Sequence, residues 1–464
     1  MGKIPTFSIV VMVALMAALA SLGHAQTFSV MYDFGTNPGD PLDPQASGVI
    51  AQGRDGNLYS TAVGGTGAGA VFKITPQGTL SVIYDFNGAH GYSPISGLTL
   101  GTDGNFYGAT LLGGTSDEGT LFKITPDGTW TLLHNFGDAD GDYVNAPPIE
   151  GADGNFYGTT QYGPGNTNGY GIIYKVTPSG QFSTLYAFDR IHGERPYAPL
   201  VQGSDGNFYG TTFLGGNYSL GSVFRITGSG KLTTLYSFDG PHGRYPADAL
   251  VQGTDGSFYG TTFEGGKGCR INNGCGVVFK ITRDGVLTVL HTFSHSGGAF
   301  PVGGLVEATD GNFYGTTESG GTLGYGAIFR VSPKGKLTFV HDFDSTAGAT
   351  PTVTLLQHTT GVLYGDTSNG GSAGGGVFYS LVGNFGAYAG LVSTLGKVGR
   401  TIGILGQGLT GTTAVSFNGT PASQFTVVSD TYLEATVPNG ATTGFVKVTT
   451  PGGALTSNKK FQVK

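Results

Sequence analysis

The chain has 464 residues, of which 85 are glycine and 21 are proline, whereas charged residues account for only 11%. Phe, Tyr and Trp make up 12% of the sequence, which is enough to build a core and excludes a wholly disordered chain. The net charge of −7 argues against nucleic acid as the main partner, because phosphate binding needs a positive surface.

The first 25 residues have the features of a secretory signal peptide. Lys3 precedes a continuous apolar run over residues 9–20, and Gly23-His24-Ala25 supplies small residues before a cleavage site after Ala25. The run is too short to cross a bilayer as a helix, and no cysteine follows it closely for lipid attachment. We therefore expect export and a mature chain with no membrane span; retention of the segment as a membrane anchor is the alternative.

A segment of about fifty residues then recurs seven times, at intervals of 48 to 55 residues. Each copy contains a variant of Asp-Gly-Asn-Phe-Tyr-Gly, followed in step by an aromatic residue and by a strand that ends in Phe. The tyrosines of the seven copies are Tyr59, Tyr107, Tyr157, Tyr209, Tyr259, Tyr314 and Tyr364. This regularity predicts one structural unit per copy.

Each unit contains four strand-like segments separated by turn residues, with no helical pattern between them. In one unit these segments are residues 200–202, 208–212, 222–227 and 232–238. Four short antiparallel strands repeated seven times predict an all-β fold, a seven-bladed β-propeller over residues 26–383.

The order of the strands also predicts how the propeller closes. The last unit stops after its third strand, at residues 378–382, whereas residues 28–34 at the mature N-terminus look like an isolated fourth strand. Pairing these two segments removes the free sheet edges. If the N-terminal strand is the fourth strand of its blade, the two tight turns of each blade lie on one face and the long, variable connections lie on the other. Because binding residues concentrate on variable loops, the long-loop face is the predicted functional face.

The motifs Asp-Gly-Asn-x-Tyr-Gly-Thr-Thr, Gly-Gly, Val-Phe-Lys-Ile-Thr-Pro-x-Gly and Leu-Tyr-x-Phe follow one another in most units. Their order resembles the Gloeo/Verruco (GloVer) tandem repeat of secreted bacterial proteins, over roughly residues 27–382. The resemblance implies an extracellular or surface protein, and it brings no catalytic residues with it.

Residues 384–464 break the repeat and form a second predicted domain. The segments Phe417-Asn418-Gly419-Thr420-Pro421, Tyr432-Leu433-Glu434-Ala435-Thr436-Val437-Pro438 and residues 444–453 resemble an IPT/TIG domain. The resemblance implies a small immunoglobulin-like β-sandwich, with which the alternating residues 425–428 agree. Such domains act as surface or accessory binding modules.

Cys269 and Cys275 are the only cysteines, and they lie in an enlarged loop between the second and third strands of one unit. In an exported protein, two cysteines at this distance predict a local disulfide. Their spacing excludes a redox Cys-x-x-Cys motif.

Two further groups are candidate site residues. His90, His192 and His242 each precede a glycine in a long connection between blades, where they are either turn residues kept by repetition or a partial ring that contacts a ligand. Asp138, Asp140 and Asp142 crowd three carboxylates into five residues, which indicates either a solvated acidic loop or a calcium site. Calcium is the only cofactor that the sequence suggests.

No paired catalytic carboxylates and no Ser/His/Asp set can be nominated. We therefore expect an exported, non-catalytic binding or adhesion protein, which recognises a polysaccharide or a protein at or outside the cell surface. The alternative is a propeller-type glycan-active enzyme, a hydrolase or lyase, with its site on the long-loop face. A single Trp weakens a sugar-stacking site, although 23 Tyr could take its place.

Overall fold

The computed structural model describes residues 26–44, 49–65, 67–164, 169–269 and 273–464. The predicted signal peptide, residues 1–25, lies outside these ranges. The described residues form β-strands and one short 3-10 helix, His295–Gly297, and none of them forms an α-helix. No helix in these ranges is long and apolar enough to cross a membrane.

Within the same ranges, the first 28 strands form seven four-stranded antiparallel sheets. The N-terminal strand is β1 (Thr27–Asp33). Sheet 1 comprises β2 (Ala51–Gln52), β3 (Leu58–Ala62), β4 (Ala70–Ile74) and β5 (Leu80–Asp85), and sheet 2 comprises β6 (Thr99–Leu100), β7 (Phe106–Thr110), β8 (Thr120–Ile124) and β9 (Trp130–Asn135). Sheet 3 comprises β10 (Ile149–Glu150), β11 (Phe156–Thr160), β12 (Ile172–Val176) and β13 (Phe182–Ala187).

Sheets 4 to 7 continue the same pattern. Sheet 4 comprises β14 (Val201–Gln202), β15 (Phe208–Thr212), β16 (Ser222–Ile226) and β17 (Leu232–Ser237), and sheet 5 comprises β18 (Val251–Gln252), β19 (Phe258–Thr262), β20 (Val277–Ile281) and β21 (Leu287–Thr292). Sheet 6 comprises β22 (Val306–Glu307), β23 (Phe313–Thr317), β24 (Ala327–Val331) and β25 (Leu337–Asp342). Sheet 7 comprises β26 (Leu356–Gln357), β27 (Leu363–Thr367), β28 (Val377–Val382) and β1.

The N-terminal strand completes the last sheet, which is the pairing that the sequence predicts. Strand β1 runs antiparallel to β28, from Thr27 opposite Val382 to Asp33 opposite Val377. Phe34, directly after β1, is fully buried against the Phe72 ring at 5.5 Å between centroids. The two ends of the repeat region are therefore joined by backbone hydrogen bonds and by core packing.

The recurring Asp-Gly-Asn-Phe-Tyr motif links a turn to the core. In sheet 4, the Asn207 N–H donates to Asp205 Oδ1 at 3.1 Å, and the Tyr209 hydroxyl donates to Asp205 Oδ2 at 2.8 Å. Gly206 has a φ of 90°, which the turn requires and glycine permits. The Tyr209 ring then stacks on Phe258 of sheet 5 at 4.0 Å. One short motif thus sets a turn, anchors a strand and packs neighbouring sheets.

Side-chain amides and carboxylates of the innermost strands clamp adjacent sheets together. The second residue of such a strand accepts a hydrogen bond from a turn N–H of the preceding sheet. Gln252, for example, accepts from the Ser204 N–H at 2.8 Å. Gln52 accepts from the Thr359 N–H at 3.0 Å and so joins sheet 1 to sheet 7.

The C-terminal residues form two more sheets that share one core. Their strands are β29 (Gly390–Leu391), β30 (Leu395–Gly396), β31 (Thr401–Leu405), β32 (Ala414–Phe417), β33 (Thr420–Pro421), β34 (Phe425–Val427), β35 (Tyr432–Thr436), β36 (Gly444–Thr450) and β37 (Gly453–Val463). The sheet orders are β29-β31-β35-β34 and β30-β37-β36-β32-β33. Ile404, Leu433, Val446 and Phe461 are buried between them.

These C-terminal sheets lie against the tight-turn ends of the repeated sheets. Lys459 Nζ contacts Glu307 Oε2 at 2.7 Å and donates to the Gln252 carbonyl at 2.7 Å. The Thr431 hydroxyl donates to the Arg54 carbonyl at 2.6 Å, and the Arg54 guanidinium lies over a ring of the C-terminal sheets. The long connections lie at the opposite ends of the sheets.

Candidate ligand-binding cavity

A cavity of about 510 Å³ lies where the long connections of six sheets converge. We call it the mouth cavity. Part of its lining comes from the connections that lead into the inner strands, namely Ile95, Asn145, Tyr197, Ala247, Val302 and Thr352. The rest comes from connecting segments nearby, namely Phe213, Phe263, Glu318, Thr350, Ser368 and Asn369.

A repeated bend in the backbone presents these side chains. In every repeat a non-glycine residue adopts a φ between 52° and 59°, at Asp43, Ser93, Tyr143, Arg195, Tyr245, Phe300 and Thr350. In sheet 5, the Tyr245 N–H donates to the Leu220 carbonyl at 2.9 Å, and the Tyr245 carbonyl accepts from the Phe263 N–H at 3.0 Å. Because the bend recurs in every repeat, it belongs to the scaffold that positions the long connections, and Thr350 at the last bend lines the cavity itself.

Sheets 4 and 5 contribute aromatic side chains to the cavity. Tyr197 and Phe213 meet edge to face at 4.9 Å, and Phe263 lies in the next repeat. We call these three rings the aromatic arc. Behind it, Tyr245 stacks on Phe213 and Phe300 packs on Phe263, both at 5.0 Å. The arc is therefore held in place by a second row of rings.

Sheets 3 and 7 contribute neutral polar side chains, which we call the polar arc: Asn145, Thr352, Ser368 and Asn369. Asn145 Nδ2 donates to Gln161 Oε1 at 3.1 Å. The Ser368 hydroxyl donates to the Thr350 carbonyl at 3.1 Å and accepts from Asn369 Nδ2 at 3.1 Å. These bonds orient amide and hydroxyl groups at the cavity before any ligand arrives.

Glu318 of sheet 6 is the single carboxylate among the described lining residues. Its backbone N–H donates to the Phe300 carbonyl at 3.0 Å, and its side chain is half-buried. Burial raises the pKa of Glu318 above its usual value. Across the described chain, its carboxylate has no hydrogen-bond or ion-pair partner in the protein, so it is an acceptor available to a ligand in the cavity.

Arg195 lies near Tyr197 of the aromatic arc, and it already has partners within the protein. Arg195 lies over the Tyr162 ring at 5.3 Å, and its Nε is 3.7 Å from Glu194 Oε1. The guanidinium lowers the pKa of Tyr197, whereas burial has the larger effect and raises it. The cavity therefore combines an apolar wall, neutral polar groups and one carboxylate.

The three histidines proposed from the sequence each contact a partner within the protein, which lies in the same connection for His192 and His242 and in strands of sheets 1 and 2 for His90. His192 and His242 bring Nδ1 to within 2.7 Å of Asp189 and Asp239, three residues earlier. His90 Nδ1 contacts the Tyr84 hydroxyl, and its ring stacks on Trp130 at 4.2 Å. None of the three lines the mouth cavity. Their ligand role stays a prediction, and their contacts fit turn residues.

The three aspartates proposed as a calcium site lie near a fourth carboxylate: burial, and then the charges of Asp138, Asp142 and Asp140, raise the pKa of Glu118 to about 7. Asp140 Oδ2 is 2.5 Å from His134 Nε2, and its Oδ1 accepts from the Gly137 N–H at 2.8 Å. Asp142 is buried, and burial raises its pKa with a smaller contribution from the charge of Asp138. In the described part of the chain, no three His, Cys, Asp or Glu residues are placed to hold a metal ion. The geometry therefore does not favour calcium there, and the calcium role stays a prediction.

Cys269 and Cys275 are joined by a disulfide in the structure, with their Cα atoms 5.7 Å apart. Cys275 is buried, and its carbonyl accepts a hydrogen bond from the Phe300 N–H at 3.0 Å. The enlarged loop is thus fastened next to one of the bends that form the mouth cavity.

Repeated four-stranded sheets that are clamped and stacked in series define the protein as a β-propeller. The sequence matches the model of the Gloeobacter/Verrucomicrobia repeat over residues 19–169 and 149–379. The chain therefore belongs to the Gloeobacter/Verrucomicrobia repeat family. A comparison with curated protein sequences finds no match.

Several solved structures are similar to the chain at low sequence identity. A fungal alcohol oxidase of the AA5 family, in complex with copper, is 14% identical, with a TM-score of 0.52 over 95% of this chain and 100% of that one. The extracellular domain of a hybrid two-component system from B. thetaiotaomicron is 12% identical, with a TM-score of 0.50 over 94% of this chain and 57% of that one. A gluconolactonase from Xanthomonas campestris is 14% identical, with a TM-score of 0.41 over 79% and 92%.

Proposed function

We propose that the protein is an exported, non-catalytic binding protein that recognises a polysaccharide through the mouth cavity. In this proposal residues 1–25 are a signal peptide, and residues 26–383 form a seven-bladed propeller. Residues 384–464 form an immunoglobulin-like domain of the IPT/TIG type. The mature protein acts at or outside the cell surface.

The packing of the sheets supports this domain division. The pairing of β1 with β28 and the bond between Gln52 and Thr359 fit a single closed ring of seven blades. The two C-terminal sheets share a core of their own, as an immunoglobulin-like sandwich requires. Their contacts leave the long-loop ends of the repeated sheets for a ligand.

The observation that carries the functional proposal is the aromatic arc opposite the polar arc. Sugar rings present C–H faces that pack on aromatic rings, and their hydroxyls pair with amide and hydroxyl groups. The cavity volume of about 510 Å³ suits a small chemical group rather than a flat protein surface. A saccharide is therefore favoured over a protein ligand.

Removing the aromatic arc tests this proposal. The double variant F213A/F263A should lose glycan binding by about tenfold or more, because each ring supplies stacking area. A glycan array identifies the ligand, and calorimetry measures its affinity. The control is Y218A, which removes a ring that is 61% exposed on a loop of sheet 4 outside the cavity. Unchanged affinity in the double variant, or no glycan bound by the wild type, would refute the proposal.

Substitution of the three histidines distinguishes the mouth-cavity site from a site formed by the histidines. If the mouth cavity is the site, the triple variant H90A/H192A/H242A should bind the same glycan with unchanged affinity. These side chains contact other residues of the protein and lie outside the cavity lining. A marked loss of affinity in a protein with unchanged melting temperature would instead place the ligand on the histidines.

One observation favours the glycan-active enzyme as a second candidate. Burial raises the pKa of Glu318, which is the direction that suits a general acid, and Glu318 lines the cavity. Most glycosidases use two carboxylates, and Glu318 has no second carboxylate beside it among the described lining residues. A panel of hydrolase and lyase substrates distinguishes the two candidate functions. Turnover by the wild type that is lost in E318Q would show that the protein is an enzyme.

A further inference from the structure

Unlike Glu194 and Glu264 on the same side of the molecule, Glu318 has no arginine partner in the described ranges. Glu118, another long-loop glutamate without an ion pair there, lies outside the cavity lining. Glu264 is paired with Arg244, and Glu194 lies 3.7 Å from both Arg190 and Arg195. Glu318 has no ion-pair or hydrogen-bond partner within the described ranges, although burial already removes part of its hydration and raises its pKa. An unpaired carboxylate at the wall of a concave site is an acceptor for a cationic group of a ligand.

The surroundings of Glu318 also suit a cation. Its backbone is bonded to Phe300, whose ring packs on Phe263 of the aromatic arc. The faces of aromatic rings attract ammonium groups, with the strongest effect where water is excluded. The polar arc is neutral, so no described lining residue repels a positive charge. The net charge of −7 for the whole chain adds a favourable long-range field.

From this arrangement we propose that the mouth cavity binds a positively charged amino group, so that its preferred saccharide carries free amines rather than N-acetyl groups. The inference rests on the proposed saccharide-binding function. A protonated amine would donate charge-assisted hydrogen bonds to Glu318 while the sugar ring packs on the aromatic arc. An N-acetyl group would place a neutral carbonyl and methyl group against the same carboxylate, and the charge pairing would be lost.

Two oligosaccharides of equal length test the inference on the purified protein. One is a β-1,4-linked glucosamine oligomer, and the other is its fully N-acetylated form. Calorimetry at low salt, repeated at several pH values from about 5 to 7 so that one of them ionises Glu318 while the amine is protonated, should show tighter binding of the amine form by about tenfold or more at its maximum. The variant E318Q should lose that preference, because glutamine keeps the shape of the side chain without its charge.

The control D284N removes one negative charge from an exposed tight turn at the opposite face, and it should keep the preference. Equal binding of both oligomers by the wild type, or an unchanged preference in E318Q, would overturn the inference. If neither oligomer binds while other glycans bind through Phe213 and Phe263, the amine inference alone fails. If no glycan binds at all, the proposed function fails and the inference fails with it.

Discussion

A chain that lacks residues 27–34 should melt at least about 10 °C below the full chain, or should fail to accumulate as a folded protein. The deletion removes the strand that completes sheet 7, and it exposes the edge of β28 along its whole length. It also removes Phe34, which is fully buried. A Phe-to-Ala change in a core costs about 3–5 kcal/mol, and this deletion removes more than one such contact.

Phe28, another aromatic residue of this segment, extends the loss of packing to the neighbouring sheet. Phe28 stacks on His341 of sheet 6 at 3.7 Å, so the N-terminal strand packs against more than its own sheet. Thermal unfolding followed by circular dichroism measures the loss. F34L and F34A provide a graded comparison, with a small effect for the first and a larger one for the second. Equal melting temperatures of the deletion and the full chain would contradict the role of β1 in closing the sheet.

The closing strand could be predicted because the same residue types recur at the same positions in each repeat. Tyr209 and five of its counterparts donate to the aspartate four residues earlier, so the repeat is visible in the sequence. The position of residues 28–34 relative to that repeat then identifies them as an isolated fourth strand. The Gln252 clamp was missed, although glutamine or glutamate recurs at its position in most repeats.

The mouth cavity could not be predicted in the same way, because its lining changes from repeat to repeat. Tyr197, Ala247 and Val302 occupy equivalent positions, two residues after the positive-φ bend of their repeats, but their side chains differ. A binding site depends on side chains that differ between repeats, whereas the fold depends on side chains that recur. A comparison of recurring residues therefore identifies the fold and not the site. One signal was present: a proline precedes each of these three residues and marks the bend.

The histidines show how recurrence can have a geometric cause, although their ligand role stays a prediction. His192 and His242 recur and were therefore proposed as ligand contacts. The aspartate three residues before each of them accepts from the backbone N–H of the histidine as well as contacting its ring. That Asp-x-x-His spacing was visible in the sequence, and it is typical of a turn held by its own side chains. Recurrence indicated geometry there, as it does for the Asp-Gly turns.

The second large effect concerns Asp366, and here we expect a substitution to stabilise the protein. Asp366 is fully buried in the second strand of sheet 7, and neither carboxylate oxygen has a hydrogen-bond partner within the described structure. The equivalent residue is threonine in five of the other sheets, at Thr61, Thr159, Thr211, Thr261 and Thr316. We expect D366T to raise the free energy of unfolding at pH 7 by on the order of 2–4 kcal/mol.

The pH dependence follows from the direction of the pKa shift. Burial raises the pKa of Asp366 well above 3.8, so the folded protein retains a proton that the unfolded chain releases. The stability of the wild type therefore falls as the pH rises from about 4 towards the raised pKa, by up to about 1.4 kcal/mol per pH unit. Threonine does not titrate, so the advantage of D366T should grow over the same range and shrink below about pH 4.

The reciprocal variant provides the matched control. T261D places a carboxyl at the equivalent buried position of sheet 5, and it should destabilise the protein with the same pH profile in reverse. Chemical unfolding at several pH values measures both variants against the wild type. If D366T proved less stable than the wild type at pH 7, or if its advantage did not change with pH, Asp366 would be a stabilising member of the core. The unpaired carboxyl would then need a partner, such as a buried water molecule, that satisfies both oxygens.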